Sequence, residues 1–404
     1  MKILDGIKPA EDEKKRVNQI IQSVLNRIKI DDLKFELGGS YAKDTFLKGS
    51  HDIDIFVKFP CEKYKDKNLS EVLDEKLRLK HKKVHGSRDY FQLEKKGYTF
   101  EFIPVLDIKD SSKAKNITDV SPLHTHWVKN HLRNPDEVRL IKKFCRAQEV
   151  YGAESYIKGF SGYVLEILTV YYHNFYNLMK NVSKWKLPVC IDVEKHYRSK
   201  EEAFKMINKS KRENELLIID PVQKDRNAAA AISKERINIL INACKEYLHN
   251  PSDDFFAEKK ININDLITES GNDNLLLCKI KTLKGKKDVI GNKVLRVYDY
   301  LSRRLGEYDF NIIKSGWYFN KDSLLYYIVK DENLSENVMH YGPPLNHKAH
   351  VEEFKKKYFN YKIKQGKTYV ELDREIKNLK DFIKKFKRDN YIKENIRKIK
   401  FKLL

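Results

Sequence analysis

Residues 38–56 read GGSYAKDTFLKGSHDIDIF, and the fold turns on how this stretch is read. Two glycines and a serine lead through a basic and polar segment to Asp52-Ile53-Asp54, at the head of an apolar run. Side chains alternate along a strand, so Asp52 and Asp54 share one face while Ile53, Ile55 and Val57 share the other. The apolar face can pack on a helix. The opposite face then presents two carboxylates close together. Like charges so placed raise each other's pKa unless a cation lies between them. A hard divalent ion that prefers oxygen ligands relieves the repulsion. Glu101, in YTFEFIPV at 98–105, is again a lone acid in an apolar run, and it can extend the cluster from a neighbouring strand. Three carboxylates holding two metal ions suit in-line phosphoryl transfer.

An Asp-x-Asp standing alone would read as the solvated face of an edge strand. The preceding Gly38-Gly39-Ser40 changes that reading. It opens a helix whose N–H groups, with the Ser40 hydroxyl and Lys43, can hold phosphate. A phosphate cradle about a dozen residues ahead of a metal-binding pair is more specific than either part.

The 404 residues suffice for two to four domains, and 41% hydrophobic with 11% aromatic residues provides for packed cores rather than disorder. No apolar run is long enough to span a bilayer, and no signal-peptide core opens the chain; a cytoplasmic protein without membrane attachment is expected. The five cysteines lie far apart without a Cys-x-x-Cys pair, which argues against disulfides and a cysteine zinc site. The net charge of +22 suits a polyanionic partner, although solvated lysines alone could account for it. The distribution favours a partner: residues 351–404 hold 15 Lys and 3 Arg against 8 acids.

Hydrophobic periodicity predicts a helix over 10–28 and strands over 33–37, 52–59 and 98–105. Helices are expected over 137–150, 160–179 and 233–248, with a polar loop at 220–227. Further on come a strand over 275–280, a helix over 289–305, and strands over 312–319 and 324–329. A Gly-Pro-Pro loop at 342–344 then precedes a basic helix, a strand pair near 361–372 and a helix over 376–387. The fold class is α/β in the amino-terminal part, with a mixed sheet carrying the carboxylates, and α+β beyond it.

Gly-Ser followed by Asp-x-Asp on a strand resembles the signature of the nucleotidyltransferase superfamily that includes DNA polymerase β and poly(A) polymerases. More closely, the chain is similar to the archaeal, class I CCA-adding enzymes. The resemblance is carried by GSYAKDTFLKGSHDIDIF (39–56), DVSPLHTHWVKNHL (119–132), EVRLIKKF (137–144), VYGAESYIKGFSGYVLEIL (150–168) and DPVQKDRNAAAAIS (220–233). These stretches keep the family's order, and with a weaker match around 339–344 they span most of the chain. The resemblance implies a polymerase β-like catalytic head at 1–136 and a helical neck with nucleotide-binding residues at 137–250. An α+β body at 251–340 and a basic, RNA-binding tail at 341–404 would follow.

It further implies Asp52, Asp54 and Glu101 as catalytic ligands of Mg²⁺. The family has Glu at the first of these positions and Asp at the third, so the order is swapped here. Ser40, Lys43, Ser121, His124, Lys142 and Tyr151 match residues that contact the incoming triphosphate, with Lys43 where the family has Arg and Ser121 where it has Thr. Arg226 matches the arginine that reads the base. Arg88 stands where the family has His and receives no role. His124, His126 and His131 lie close in sequence, but no cysteine or third-ligand spacing supports zinc. The implied activity is template-independent addition of CCA to the 3′ end of tRNA from CTP and ATP, with release of pyrophosphate. The acceptor stem and TΨC arm would be gripped by body and tail, and a homodimer is a candidate assembly. Two alternatives differ in outcome. A related poly(A) polymerase or oligonucleotide synthase would differ in product length and CTP use. An inactive RNA-binding protein on the same fold would show no Mg²⁺-dependent incorporation.

Overall fold

The alternation that begins at Asp52 builds the first sheet. In the computed structural model, which describes residues 2–28, 30–258, 261–320, 323–330 and 333–404, strand β2 (Asp52–Pro60) lies between β1 (Lys34–Leu37) and β5 (Tyr98–Asp107). It runs antiparallel to β1 and parallel to β5. Ile53, Ile55 and Val57 are completely buried, against Val17, Ile20, Ile21 and Val24 of the helix Glu11–Leu25. Burying each such side chain contributes about 1.5–3 kcal/mol. The mixed sheet is therefore the expected one, with two strands that periodicity did not mark. These are β3 (Lys82–Val84) and β4 (Tyr90–Lys95), which complete the order β1-β2-β5-β4-β3. Both are short and carry charged residues outward, so their apolar alternation is weak.

The chain forms two units, Met1–Lys259 and Lys260–Leu404. In the first, helices Pro135–Ala147, Gly162–Tyr172, Phe175–Val182 and Lys234–His249 share a second core around Leu140, Phe144, Leu168 and Leu178. Two expectations fail here. The helix expected over 160–179 is two helices, because His173 adopts φ 73 and the Asn174 side chain accepts from the backbone N–H of Asn177. A side chain that caps a new helix competes with continuation of the old one. The polar loop expected at 220–227 is a hairpin of β7 (Leu216–Asp220) and β8 (Gln223–Asn227), with β6 (Val189–Ile191) parallel to β7. Asn227 turns its amide inward and accepts from Ile218 N–H at 3.0 Å and Ala229 N–H at 2.9 Å. A polar residue thus serves the strand backbone, and composition alone reads it as loop.

The second unit holds an antiparallel sheet in the order β10-β11-β9-β15, from β9 (Asn274–Lys281), β10 (Ile312–Tyr318), β11 (Ser323–Val329) and β15 (Lys398–Leu403). One face packs on helix Lys287–Glu307 and on Leu379, Phe382 and Phe386. The carboxy-terminal segment, expected as a basic tail, does not stand apart: it fills this core with phenylalanines and ends as a sheet strand. Gly342–Pro344, expected as a loop, closes strand β12 (Asn337–Pro344). This strand joins β13 (Lys362–Lys364) and β14 (Lys367–Asp373) in a second sheet of order β12-β14-β13. The register shifts between Tyr341 and Pro344; such an irregularity accommodates prolines that have no N–H to pair. Among the described residues, no helix is long and apolar enough to cross a membrane.

Candidate active site

The parallel register places Asp54 opposite Glu101 and Asp52 opposite Thr99, so the three acids share one face of β2 and β5. Gln92, on the far side of β5, donates to Glu101 Oε1 at 2.8 Å. Burial, then the charges of Glu101 and Asp52, push the Asp54 carboxyl up to about 7, against the pull of Lys43. Gly39 explains why the Gly-Gly-Ser turn matters. Its φ is +56, and a Cβ there would fall 1.7 Å from Asp54 Oδ2. The turn backbone therefore lies against the carboxylate, and Gly38 N–H donates to the Asp54 carbonyl at 2.8 Å. The helix it opens, Gly39–Ala42, is a single turn. Among the described residues, no three His, Cys, Asp or Glu side chains close into a metal-ligand group. The donor set still fits a hard divalent ion. All three carboxylates present oxygens on one face, and burial together with the charges of Glu101 and Asp52 raises Asp54, a penalty that a cation would remove.

A cavity of about 400 Å³ opens beside Asp54. Lys43, Ser121, His124 and Arg226 line it with Gly39 and Asp54. The fold thus gathers five expected residues, drawn from positions 43 to 226, around one space. Ser40, Asp52, Glu101, Lys142 and Tyr151 do not line it. Lys142 and Tyr151 meet behind the wall at Gly162, where a Cβ would lie 3.3 Å from the Tyr151 hydroxyl and 3.4 Å from Lys142 Cε. Burial raises the Tyr151 hydroxyl's pKa.

What stands behind the wall is a buried carboxylate that sequence reasoning missed. Glu166, on helix Gly162–Tyr172 and completely buried, takes Lys43 Nζ at 2.5 Å, the Thr45 hydroxyl at 2.7 Å and Lys142 Nζ at 3.3 Å. Lys142 also donates to the Thr45 carbonyl at 3.1 Å. Burial drives Lys142 down to about 8 while Glu166 opposes the shift. Burial works against the Glu166 charge too, but Lys43 and Lys142 hold it below the usual carboxylate range. A signal for Glu166 was present in the sequence: it is the lone acid of YVLEIL at 163–168, the same pattern that marked Glu101.

A second missed acid holds the other wall. Asp220 ends β7 with no exposure and pairs with the Arg226 guanidinium across the hairpin. It accepts from the Tyr163 hydroxyl at 3.1 Å and from Val222 N–H at 3.0 Å. His124 Nε2 lies 2.9 Å from Asp220 Oδ2, at an angle that leaves it without a well-formed hydrogen bond. Burial opposes the Asp220 charge, but His124 and Arg226 hold the carboxyl at about 2. Burial pushes His124 down, toward its neutral form. The histidines do not gather: His126 faces Glu36 at 2.7 Å and His131 stacks on Trp127. Arg88, left without a role, donates to Asp119 and to the Pro104 carbonyl at 3.0 Å. Asp119 in turn accepts from Leu106 N–H at 2.8 Å and Asn116 N–H at 3.0 Å. Arg88 therefore locks the chain after β5 to the strand that bears Glu101.

A mixed sheet with acids on adjacent parallel strands, a Gly-Ser turn pressed on one of them and a cation-lined cavity beside it define a nucleotidyltransferase. Residues 17–124 match the nucleotidyltransferase domain family. Residues 136–257 match the second domain of tRNA nucleotidyltransferase, and 282–399 the C-terminal domain of the CCA-adding enzyme. The chain is 34% identical to the CCA-adding enzyme of Nanoarchaeum equitans, over 83% of this chain and 82% of that one. It is 30% identical to that of Saccharolobus solfataricus, over 91% and 88%. With that of Sulfolobus acidocaldarius it shares 31%, over 85% and 80%. The chain belongs to the CCA-adding enzyme family. A solved cytoplasmic RNA terminal U-transferase is similar at 16% identity and a TM-score of 0.49, over 65% of this chain and 97% of that one.

Proposed function

We propose that this protein adds C, C and A to the 3′ end of tRNA from CTP and ATP without a template, releasing pyrophosphate, in the cytoplasm. The observation that carries the reading is the cavity in which Asp54, Lys43, His124 and Arg226 converge, in a chain whose relatives are CCA-adding enzymes over most of its length. Asp52, Asp54 and Glu101 would hold divalent ions, and Mg²⁺ suits their all-oxygen donors. When bound, such ions make the 3′-hydroxyl a better nucleophile and offset charge on the phosphoryl oxygens.

The chain's own groups do the rest. Lys43 at the cavity wall, with Lys142 behind it, offsets the triphosphate charge. Glu166 holds both ammonium groups in place. Ser121 and His124 at the cavity wall complete the triphosphate contacts, and Ser40 and Tyr151, set back from the cavity, are assigned to them by the family match. Arg226 reads the base. Cytosine and adenine each offer an exocyclic amine beside an unprotonated ring nitrogen, whereas uracil and guanine offer a carbonyl beside a ring N–H. Arginine has only donors, so Arg226 donates to the ring nitrogen of cytosine or adenine and meets the ring N–H of uracil or guanine, and a site that leaves polar groups unpaired discriminates strongly. In this reading residues 1–136 are the catalytic head and 137–250 the helical neck. Residues 251–340 and 341–404 grip the acceptor stem and TΨC arm through A-form shape and backbone.

The test is to incubate the protein with tRNA lacking its 3′ end and each labelled nucleotide, then sequence the products. Addition ending at CCA is expected, and Asp54→Ala is expected to lose incorporation by about 10³-fold. Long A-tracts, or failure to use CTP, would sink the reading.

A further inference from the structure

The terminal strand β15 reads KIKFKL, and the edge of β9 beside it reads CKIK. Ile399, Phe401 and Leu403 enter the core of the second unit. Alternation then sends Lys398, Lys400 and Lys402 to the other face, where Lys279 and Lys281 also emerge. The antiparallel register sets Lys398 opposite Lys281 and Lys400 opposite Lys279. Like charges directly opposite on neighbouring strands destabilise a sheet. Among the described residues none of the five has a carboxylate partner. Four of them border a cavity of about 490 Å³ whose apolar side is Ile263 and Leu324. A sheet that carries two unrelieved like-charge pairs over an apolar floor is built for an anionic partner.

We propose that this lysine face of β9 and β15 is a phosphate-binding surface for the backbone of the RNA substrate. The inference rests on the tRNA reading above and deepens it. Lysines at alternate positions of β15 recur at about 7 Å, so three of them can follow successive phosphates of one strand, while the β9 pair forms a second row. A second copy of this chain is a poor occupant, because a symmetric contact would bring the same five lysines against themselves.

The experiment compares the full-length protein with a variant carrying Lys279→Gln, Lys281→Gln, Lys398→Gln and Lys400→Gln, and with the corresponding Lys→Arg variant. Binding to tRNA lacking its 3′ end is measured over a range of salt, together with incorporation of CMP. Four lost phosphate contacts should reduce the slope of log K against log[salt] by about 3 and weaken binding at low salt by at least about tenfold. The turnover rate at saturating tRNA should stay unchanged, since no substituted residue lines the catalytic cavity. The thermal midpoint of the Gln variant should be equal or higher, because the like-charge pairs are gone, and the Arg variant should keep the parental slope. An unchanged slope and affinity in the Gln variant, with the parent still extending tRNA, overturns the surface while leaving the function standing. Altered self-association with unchanged tRNA affinity overturns it in favour of a protein contact. A parent that neither binds nor extends tRNA overturns both readings together.

Discussion

Replacing Gly39 with alanine separates what the turn does for stability from what it does for chemistry. At φ +56 a side-chain-bearing residue costs about 1–2 kcal/mol of backbone strain. The new Cβ would also fall 1.7 Å from Asp54 Oδ2 and 2.7 Å from its Cγ. The carboxylate must therefore withdraw by about 2 Å to reach ordinary van der Waals contact. A misplacement near 1 Å costs on the order of 10²-fold in rate. Gly49 supplies the control, because its φ is +74 and nothing lies within 4 Å of its added Cβ. Gly49→Ala carries the same kind of strain without touching the site. Both variants should lose a few degrees of thermal midpoint, at about 2–4 °C per kcal/mol for a unit of this size. Only Gly39→Ala should lose rate, by about 10²-fold or more in single-turnover CMP incorporation. If Gly39→Ala stayed within about threefold of Gly49→Ala, the turn would not be positioning Asp54, and the reasoning from the 1.7 Å contact would be refuted.

Asp220, held at about 2 against an ordinary 3.8, contributes about 2 kcal/mol of stability that is complete above pH 4 and lost as pH falls from 4 to 2. Asp220→Asn should lose that amount in denaturant titrations at pH 7, flatten the acid limb over that window, and raise UMP and GMP misincorporation by releasing Arg226. Lys142→Met strands part of the Glu166 charge and should cost about 3–5 kcal/mol; adding Glu166→Gln should recover part of it, a coupling that a double-mutant cycle in urea measures. Deleting residues 376–404 removes Leu379, Phe382 and Phe386 from the core of the second unit, so circular dichroism should report its unfolding. Phe382→Ala alone should cost about 3–5 kcal/mol.

The carboxylate strand was legible because its signal is local. Alternation over Asp52–Pro60 declares which residues face a core and which do not, and a lone acid such as Glu101 in an apolar run announces itself by its neighbours. The helix on the buried face and the strand that bears Glu101 followed from the same short-range periodicity, and the turn from Gly38-Gly39-Ser40 itself, whereas the parallel pairing of the two strands came with the structure. Elements whose polar groups serve their own backbone were misread: Asn174 ends a helix that its apolar neighbours would continue, and Asn227 supports a hairpin that composition reads as loop. The carboxy-terminal segment was read by its charge, whereas the phenylalanines among the lysines decide that it packs.

The partners were a matter for the tertiary structure. Lys43 and Glu166 are 123 positions apart, Tyr163 and Asp220 57 apart, and β15 finds β9 across more than a hundred residues. A sequence pattern states that a side chain is buried or exposed, since that depends on periods of two or 3.6 residues. Which opposite charge it meets depends on how whole elements pack, and burial then makes that partner necessary, because an ion out of water is stable only when paired. The chemistry of the strand was therefore written locally in the sequence, while the groups that hold Lys43 and Arg226 in position came together only when distant segments folded against one another.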